Sequence, residues 1–174
     1  MSDTLRTASS LLAALTLLSA CGGTPGDGSG TPDPVSEPQV SVMGQAPLGN
    51  VARIPHGSEE PSAENGTDFG TWSAGTIGQP NSPKWAMFEL RNESEETVDL
   101  SGAPFVEVTG PDAARFGVLD MCGPAVDPGA SMFFWVSFDG MGERRRHVAE
   151  VRVHLAGQDY RFAVAGTTVD PSQH

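Results

Sequence analysis

Acidic side chains are concentrated in one short stretch near the middle of the chain. Glu59, Glu60, Glu64 and Asp68 lie within ten residues, beside glycines that favour tight turns. A hard cation such as Ca²⁺ binds about six to eight oxygen atoms, often from a single loop. The spacing here matches no loop with a fixed order of calcium ligands. We therefore favour a solvated turn, in which Asp68 or Asn65 caps backbone amides, over a calcium site.

The other groups that could perform chemistry are scattered along the sequence. The four histidines, His56, His147, His154 and His174, do not have the spacing of zinc ligands. The chain has no Gly-x-Ser-x-Gly motif and no glycine-rich phosphate loop after a strand. Because no nucleophile can be matched with a base, we predict that the protein is not an enzyme and uses no cofactor.

Cys21 follows a segment with the layout of a secretory signal peptide. Arg6 gives a positive start, residues 11–18 form an apolar run, and small residues precede the cysteine. The run is shorter than the ~20 residues that a bilayer span requires. Leu18-Ser19-Ala20-Cys21 resembles a bacterial lipobox, in which the cysteine is lipidated and becomes the first residue. The alternative is an ordinary signal peptide, cut near Ala20, with an incidental cysteine.

The resemblance implies that residues 1–20 are removed and that Cys21 holds the protein to a membrane. Residues 21–39 are then a flexible tether, since Gly, Pro and Ser dominate them and Val35 is their one aliphatic residue after the cysteine. Such a tether reaches roughly 25 Å. Gly22 replaces the aspartate that serves as an inner-membrane retention signal in some bacteria, so we prefer the outer membrane.

The net charge of −12 excludes nucleic acid as a partner, because such a surface repels phosphate backbones. Arg144-Arg145-Arg146-His147 is the one basic cluster, and we predict a solvated turn there. A contact point for an anionic glycan or an acidic partner is the alternative. Cys122 is left unpaired once Cys21 is lipidated, and we predict a small buried side chain. An intermolecular disulfide remains open for it.

From Val40 onward, apolar side chains alternate with a period of two. The clearest runs are residues 84–91, 131–139 and 148–155, and Gly/Pro/Asn/Asp turns separate them. This pattern predicts half-buried strands, with Phe88, Leu90, Phe134, Val136 and Phe138 facing inward. His154 falls on the outward face of its strand. We therefore predict an all-β immunoglobulin-like β-sandwich of about seven to nine antiparallel strands over residues 40–168, followed by a tail at 169–174.

Several strings along this region carry a more specific resemblance. They are Ile54-to-Gly70 (IPHGSEEPSAENGTDFG), Thr109-to-Phe116 (TGPDAARF), Phe134-to-Phe138 (FWVSF) and Phe162-to-Thr167 (FAVAGT). In order and spacing they resemble the choice-of-anchor D repeat, a bacterial relative of the ASPM-SPD-2-Hydin domain. The resemblance implies an immunoglobulin-like, non-catalytic module of secreted or surface-attached bacterial proteins. It implies no particular ligand.

Tryptophan and phenylalanine side chains opposite the predicted core are the remaining indication of function. Trp72, Trp85, Phe133 and Trp135 mark a contact surface if they are exposed, or pack beneath loops if they are not. We expect a lipid-anchored, exported cell-envelope protein that binds protein or glycan, or serves structurally. The alternative is a periplasmic accessory subunit that docks onto a membrane enzyme, transporter or secretion complex.

Overall fold

The computed structural model describes residues 40–46, 49–73, 82–141 and 143–169. The segments predicted to be a signal peptide, a lipidated Cys21 and a tether, together with His174 and the tail beyond Val169, lie outside these residues. The described residues belong to one compact unit, Ser36–His174. Their only helical element is a short 3-10 turn, Ala113–Arg115. None of the described segments is a helix with the length and hydropathy needed to span a membrane.

Eleven strands make up the described part of the chain. They are β1 (Val40–Gln45), β2 (Val51–Ile54), β3 (Asp68–Ser73), β4 (Lys84–Asn92), β5 (Val98–Asp99), β6 (Val106–Thr109), β7 (Phe116–Asp120), β8 (Ala125–Val126), β9 (Ser131–Phe138), β10 (Arg146–Val153) and β11 (Tyr160–Val169). Their positions follow the period-two runs of the sequence, because alternating side chains suit a strand with one buried face.

The strands form an immunoglobulin-like β-sandwich, as predicted. A five-stranded antiparallel sheet has the order β2-β1-β4-β9-β7, and a four-stranded sheet has the order β3-β11-β10-β6. β5 and β8 add a separate two-residue ladder. The two larger sheets together contain nine strands, which lies within the predicted range of seven to nine. The prediction was wrong in one detail, since β3 runs parallel to β11. Alternation shows which side chains face the core but not the direction of a neighbouring strand.

The inward side chains of the two sheets meet in one core. Phe88, Leu90, Phe134, Val136 and Phe138 are all 0% exposed, which confirms the predicted inward faces of β4 and β9. Phe88 stacks on Phe134 with ring centroids 5.4 Å apart, a separation that favours aromatic pairs. The four-stranded sheet supplies Ala149, Val151, Val153, Phe162 and Val164.

The loop that precedes β3 packs closely against β1, and glycines make this approach possible. A Cβ at Gly44 would collide with the backbone oxygen of Asn65. Gly66 has a φ of +72°, a conformation that strains any residue with a side chain. The Asn65 amide oxygen accepts hydrogen bonds from Thr67 N at 3.2 Å and Thr67 Oγ1 at 2.7 Å. The Asn-Gly-Thr-Asp-Phe-Gly string thus encodes a tight connection between the two sheets.

Two adjacent phenylalanines on β9 test the assignment of its faces. Phe134→Ala should lower the free energy of unfolding by roughly 3–5 kcal/mol, because it opens a cavity in the core. Phe133→Ala removes the same side chain from the opposite face and should cost no more than about 1 kcal/mol. Urea unfolding of both variants measures the difference. Equal losses would contradict the assignment and would indicate a strand register shifted by one residue.

Candidate functional site

The outer surface of the five-stranded sheet carries an unusual number of apolar side chains. We call this surface the apolar face; it comprises Val51, Trp85, Met87, Leu119, Met121, Phe133 and Trp135. Its composition follows from the core, because successive side chains of a strand point to opposite faces. Burial of Phe88 and Phe134 on the inner side therefore directs Met87 and Trp135 outward. These two residues are register partners, and Trp135 is also opposite Leu119.

Solvent reaches much of the apolar face. The exposed fractions are 53% for Trp85, 49% for Leu119 and 40% for Phe133. Met121, which follows the last residue of β7, is 67% exposed. Trp72, in contrast, is 4% exposed and belongs to the core. The aromatic residues singled out from the sequence therefore divide, with Trp72 packed inside and the others on the outer surface of the five-stranded sheet.

A shallow depression crosses one side of the apolar face. Its volume is about 370 Å³, and Gln45, Trp85, Met87 and Trp135 contribute to its walls. Among these four residues, the Gln45 carboxamide and the two indole N–H groups can form side-chain hydrogen bonds. Polar atoms make up more of its exposed lining than apolar atoms do, so the depression combines aromatic contact area with hydrogen-bonding groups.

Charged and polar side chains adjoin the apolar face on the same outer surface, and Glu89 lies directly opposite Phe133. Arg53 lies 3.7 Å from the Glu93 carboxylate, to which the Ser41 hydroxyl also donates a hydrogen bond at 2.8 Å. The Ser131 hydroxyl donates to Glu89 at 2.5 Å. An apolar centre bordered by polar groups is the usual anatomy of a protein–protein interface.

The outer surface of the four-stranded sheet is different in character. Arg152 donates to Glu150 at 2.8 Å, and this hydrogen bond raises the pKa of the guanidinium above its ordinary value. The His154 ring lies between two carboxylates, 3.1 Å from Asp159 and 3.3 Å from Glu107. His154 is on the outward face, as predicted, but its side chain is only 22% exposed. These ion pairs give the Arg152 end of this surface a polar character.

The acidic stretch does not converge on one point. Glu59, Glu60 and Glu64 are exposed. Asp68 accepts a hydrogen bond from Gly70 N at 2.8 Å and forms an ion pair with Arg146 at 3.0 Å. Within the described ranges, no group of three or more His, Cys, Asp or Glu side chains is arranged to hold a metal ion. Calcium binding through these four residues stays the less favoured hypothesis.

The basic cluster is not the simple solvated turn that the sequence suggested. Arg145 forms two hydrogen bonds with the Asp112 carboxylate, at 2.9 and 2.6 Å. His147 is 1% exposed and lies 3.4 Å from the same carboxylate. The Asp112 carboxylate also accepts the Val148 N–H at 3.0 Å. The prediction of a solvated turn is wrong for His147, because the alternating pattern of β10 already includes this residue and its side chain faces inward, whereas Arg144, Arg145 and Arg146 are exposed.

The Arg145 guanidinium holds the pKa of the Asp112 carboxyl well below its usual range, although burial opposes this shift. Asp112 was not recognised from the sequence, where it appeared as one of several turn-forming residues. No local signal could have identified it, since its partners lie 33 to 36 residues away. The ion pair fastens the turn before β7 to the start of β10.

Cys122 packs against the core but is only partly buried, so the predicted buried side chain is met only in part. Burial, with a smaller contribution from the Asp120 carboxylate, raises the pKa of its thiol to about 12. A thiol with so high a pKa carries almost no thiolate at neutral pH, and the thiolate is the nucleophilic form. Cys122 is therefore unsuited to catalysis.

Comparison with known proteins gives limited information. No protein-family model matches the chain, and no curated protein matches it. A structure of the Vibrio cholerae VesB protease matches with a TM-score of 0.39 and 17% identity, over 58% of this chain and 29% of that one. The ASH / PapD-like domain of human CEP192 matches with a TM-score of 0.35 and 18% identity, over 57% of this chain and 81% of that one. The chain thus spans less than a third of the protease structure.

The Asp112 carboxylate should stabilise the fold in a pH-dependent manner. Asp112→Ala should lower the free energy of unfolding at pH 7 by roughly 1.5–3 kcal/mol, the contribution of hydrogen bonds to a charged group. Because the pKa is depressed in the folded state, this stabilisation is complete above the unfolded value of about 3.9 and declines as the pH falls further. Urea unfolding across this pH range measures the gap between wild type and variant.

The exposed Asp99 provides the matched control for that measurement. Asp99→Ala should change the stability by no more than about 0.5 kcal/mol at any pH. A loss in Asp112→Ala that stays constant from pH 7 to about pH 2 would show that the charge of Asp112 contributes nothing.

Proposed function

We propose that the protein is a lipid-anchored, non-catalytic binding module of the bacterial cell envelope. The observation that carries the binding role is the apolar face, where Trp85, Leu119 and Phe133 remain substantially exposed in a folded domain with a well-filled core. Maintaining such a surface in water is unfavourable, and soluble monomers rarely expose a large contiguous apolar patch. Tryptophan residues are also the side chains that contribute most often to binding hot spots.

The groups most suited to catalysis are engaged elsewhere, which supports a non-catalytic role. The His147 ring is enclosed and lies within hydrogen-bonding distance of Asp112 and of the Glu143 backbone oxygen at 3.0 Å. His154 is held between two carboxylates, and the Cys122 thiol has a raised pKa. Each of these candidates serves the structure of the sandwich.

The sequence supports the anchoring half of the proposal. Leu18-Ser19-Ala20-Cys21 resembles a lipobox, and the strings from Ile54 to Thr167 resemble the choice-of-anchor D repeat. A single acyl chain binds membranes only marginally, so stable attachment at Cys21 requires two or more chains. The Gly/Pro/Ser-rich residues 22–39 then hold the sandwich clear of the lipid surface, and Gly22 favours the outer membrane.

Substitution of the anchoring residue tests this location. Cys21→Ser should move the protein from the membrane fraction to the soluble fraction, because the acyl chains are the only attachment in this account. Fractionation followed by immunodetection measures the distribution, and the far-ultraviolet circular dichroism spectrum should remain that of a β-protein. A Cys21→Ser variant that still requires detergent for extraction would overturn anchoring through Cys21.

Photo-cross-linking in cells of the source organism tests the binding role. A benzoylphenylalanine at position 119 lies on the apolar face, whereas the same group at position 148 replaces the exposed Val148 of the opposite sheet. Illumination should give one discrete protein adduct from position 119 and none from position 148. Identical patterns from the two positions, or no adduct from position 119, would contradict the proposed binding surface.

A further inference from the structure

Two depressions adjoin at Trp85, at the corner of the five-stranded sheet where β1 ends and β4 begins. The first, described above, has a volume of about 370 Å³ and includes Trp135 in its walls. The second has a volume of about 310 Å³ and includes Asp68 and Lys84. Gln45 and Trp85 line both, and the Trp85 side chain is 53% exposed. We call the two depressions together the Trp85 site; each has the size of a small-molecule pocket.

Strand pairing holds the side chains of the Trp85 site in place. Trp85 is the register partner of Ser137 on β9, and Gln45 is the register partner of Val51 on β2. The loop before β3 lies so close to β1 that a Cβ at Gly66 would come within 2.5 Å of the Gln45 backbone oxygen. The site is therefore built on a rigid backbone, which lowers the entropy lost when a ligand binds.

The charged residues that line the Trp85 site already have partners. Lys84 Nζ donates a hydrogen bond to the Phe69 backbone oxygen at 3.0 Å, and Asp68 pairs with Arg146 at 3.0 Å. The Gln45 carboxamide is exposed, carries no charge and offers both donors and an acceptor. The net charge of −12 repels an anionic ligand. The site therefore favours an uncharged ligand that can form hydrogen bonds.

A sugar combines these properties. One face of a pyranose ring consists of C–H groups, which pack against the electron-rich face of an indole. Its hydroxyl groups donate and accept hydrogen bonds, as the Gln45 carboxamide does. Trp85 and Trp135 occupy diagonal positions on β4 and β9, so the bases of their side chains are roughly 7 Å apart. Successive rings of one glycan chain can therefore contact the two indoles in turn.

An extended peptide matches the Trp85 site less well. Peptides that add to a sheet pair their backbone with an open strand edge. β1 and β4 both have neighbours on each side, so the backbone beneath the site is already paired. Peptide amides placed there without hydrogen bonds would be unfavourable. More polar than apolar atoms line the depression beside Trp135, whereas the centre of a protein interface is mainly apolar.

Resting on the binding role proposed above, we infer that the Trp85 site binds a neutral glycan. One pyranose ring stacks on the Trp85 indole, Gln45 forms hydrogen bonds with its hydroxyl groups, and Trp135 contacts the next ring. This ligand occupies the β1/β4 corner of the outer surface. Leu119 and Phe133 lie on β7 and β9 and are not among the residues that line either depression.

Calorimetric titration with defined tetrasaccharides tests this inference. The full-length chain carrying Cys21→Ser is titrated with the neutral tetramers of glucose, mannose, galactose and N-acetylglucosamine, and with tetragalacturonic acid as the anionic control. At least one neutral tetramer should bind, and tetragalacturonic acid should bind at least about tenfold more weakly than that tetramer. The bound sugar should also reduce acrylamide quenching of tryptophan fluorescence, because it covers the exposed Trp85 ring.

Variants of the protein locate the sugar. Trp85→Ala should raise the dissociation constant of the bound tetramer at least about tenfold, as expected for an aromatic anchor. Gln45→Ala should raise it severalfold, because hydrogen bonds to the sugar are lost. Val148→Ala, on the opposite sheet, should leave it unchanged. Trp85 and Gln45 are exposed, so neither change should disturb folding, and Gln45→Ala carries the test if Trp85→Ala lowers the melting temperature.

Several results would overturn the inference. They are no binding of any neutral tetramer at millimolar concentration, tightest binding of tetragalacturonic acid, or equal weakening by Val148→Ala. A discrete protein adduct from benzoylphenylalanine at position 45 in cells, without sugar binding, would assign the site to a protein instead.

The cellular cross-link at position 119 separates this inference from the binding role. A discrete adduct there without sugar binding would reject the glycan and keep the binding role. Sugar binding without that adduct would support the glycan and reject a protein contact at Leu119. Failure of both would reject the two proposals together.

Discussion

Phe88 and Phe134 stack in the centre of the core from opposed positions on β4 and β9, with ring centroids 5.4 Å apart. This contact fixes the register of the two central strands of the larger sheet. Because side chains alternate along each strand, it also fixes the outward direction of Met87 and Trp135. A slip of one residue would exchange the two faces completely. The packing of the core and the composition of the apolar face are therefore consequences of one pairing.

The two outer surfaces of the sandwich differ because different residue types occupy equivalent positions. Outward positions of β10 carry Glu150 and Arg152, and His154 follows the last residue of the strand; these residues form ion pairs and remain compatible with water. Outward positions of β9 carry Phe133 and Trp135, whose apolar rings have no such partners in water. Both patterns are compatible with the same core, because inward positions build it. The apolar outer surface is thus not required by the fold, and the proposed binding role accounts for its presence.

The alternating runs were sufficient to predict the sandwich and the inward faces of β4 and β9, since period-two burial is a local property. The parallel pairing of β3 with β11 could not be predicted from the sequence, because strand direction depends on long-range topology. The same limit applies to the site. Trp85 and Phe133 were recognised from the sequence as candidate contact residues. Leu119 could be placed on the same surface only from the register of β7 with β9, which the sequence does not give. The structural role of Asp112 could be recognised only from the fold, which places its carboxylate beside Arg145.

Methionine oxidation provides the most direct test of the claim that the apolar face is occupied in the cell. Met121 is 67% exposed beside this face, and Met141 is 55% exposed in the turn between β9 and β10. Both should oxidise readily when the purified protein is treated with hydrogen peroxide and analysed by mass spectrometry. In intact cells, Met121 should be protected severalfold while Met141 continues to oxidise. Equal oxidation of the two methionines in cells would contradict the account.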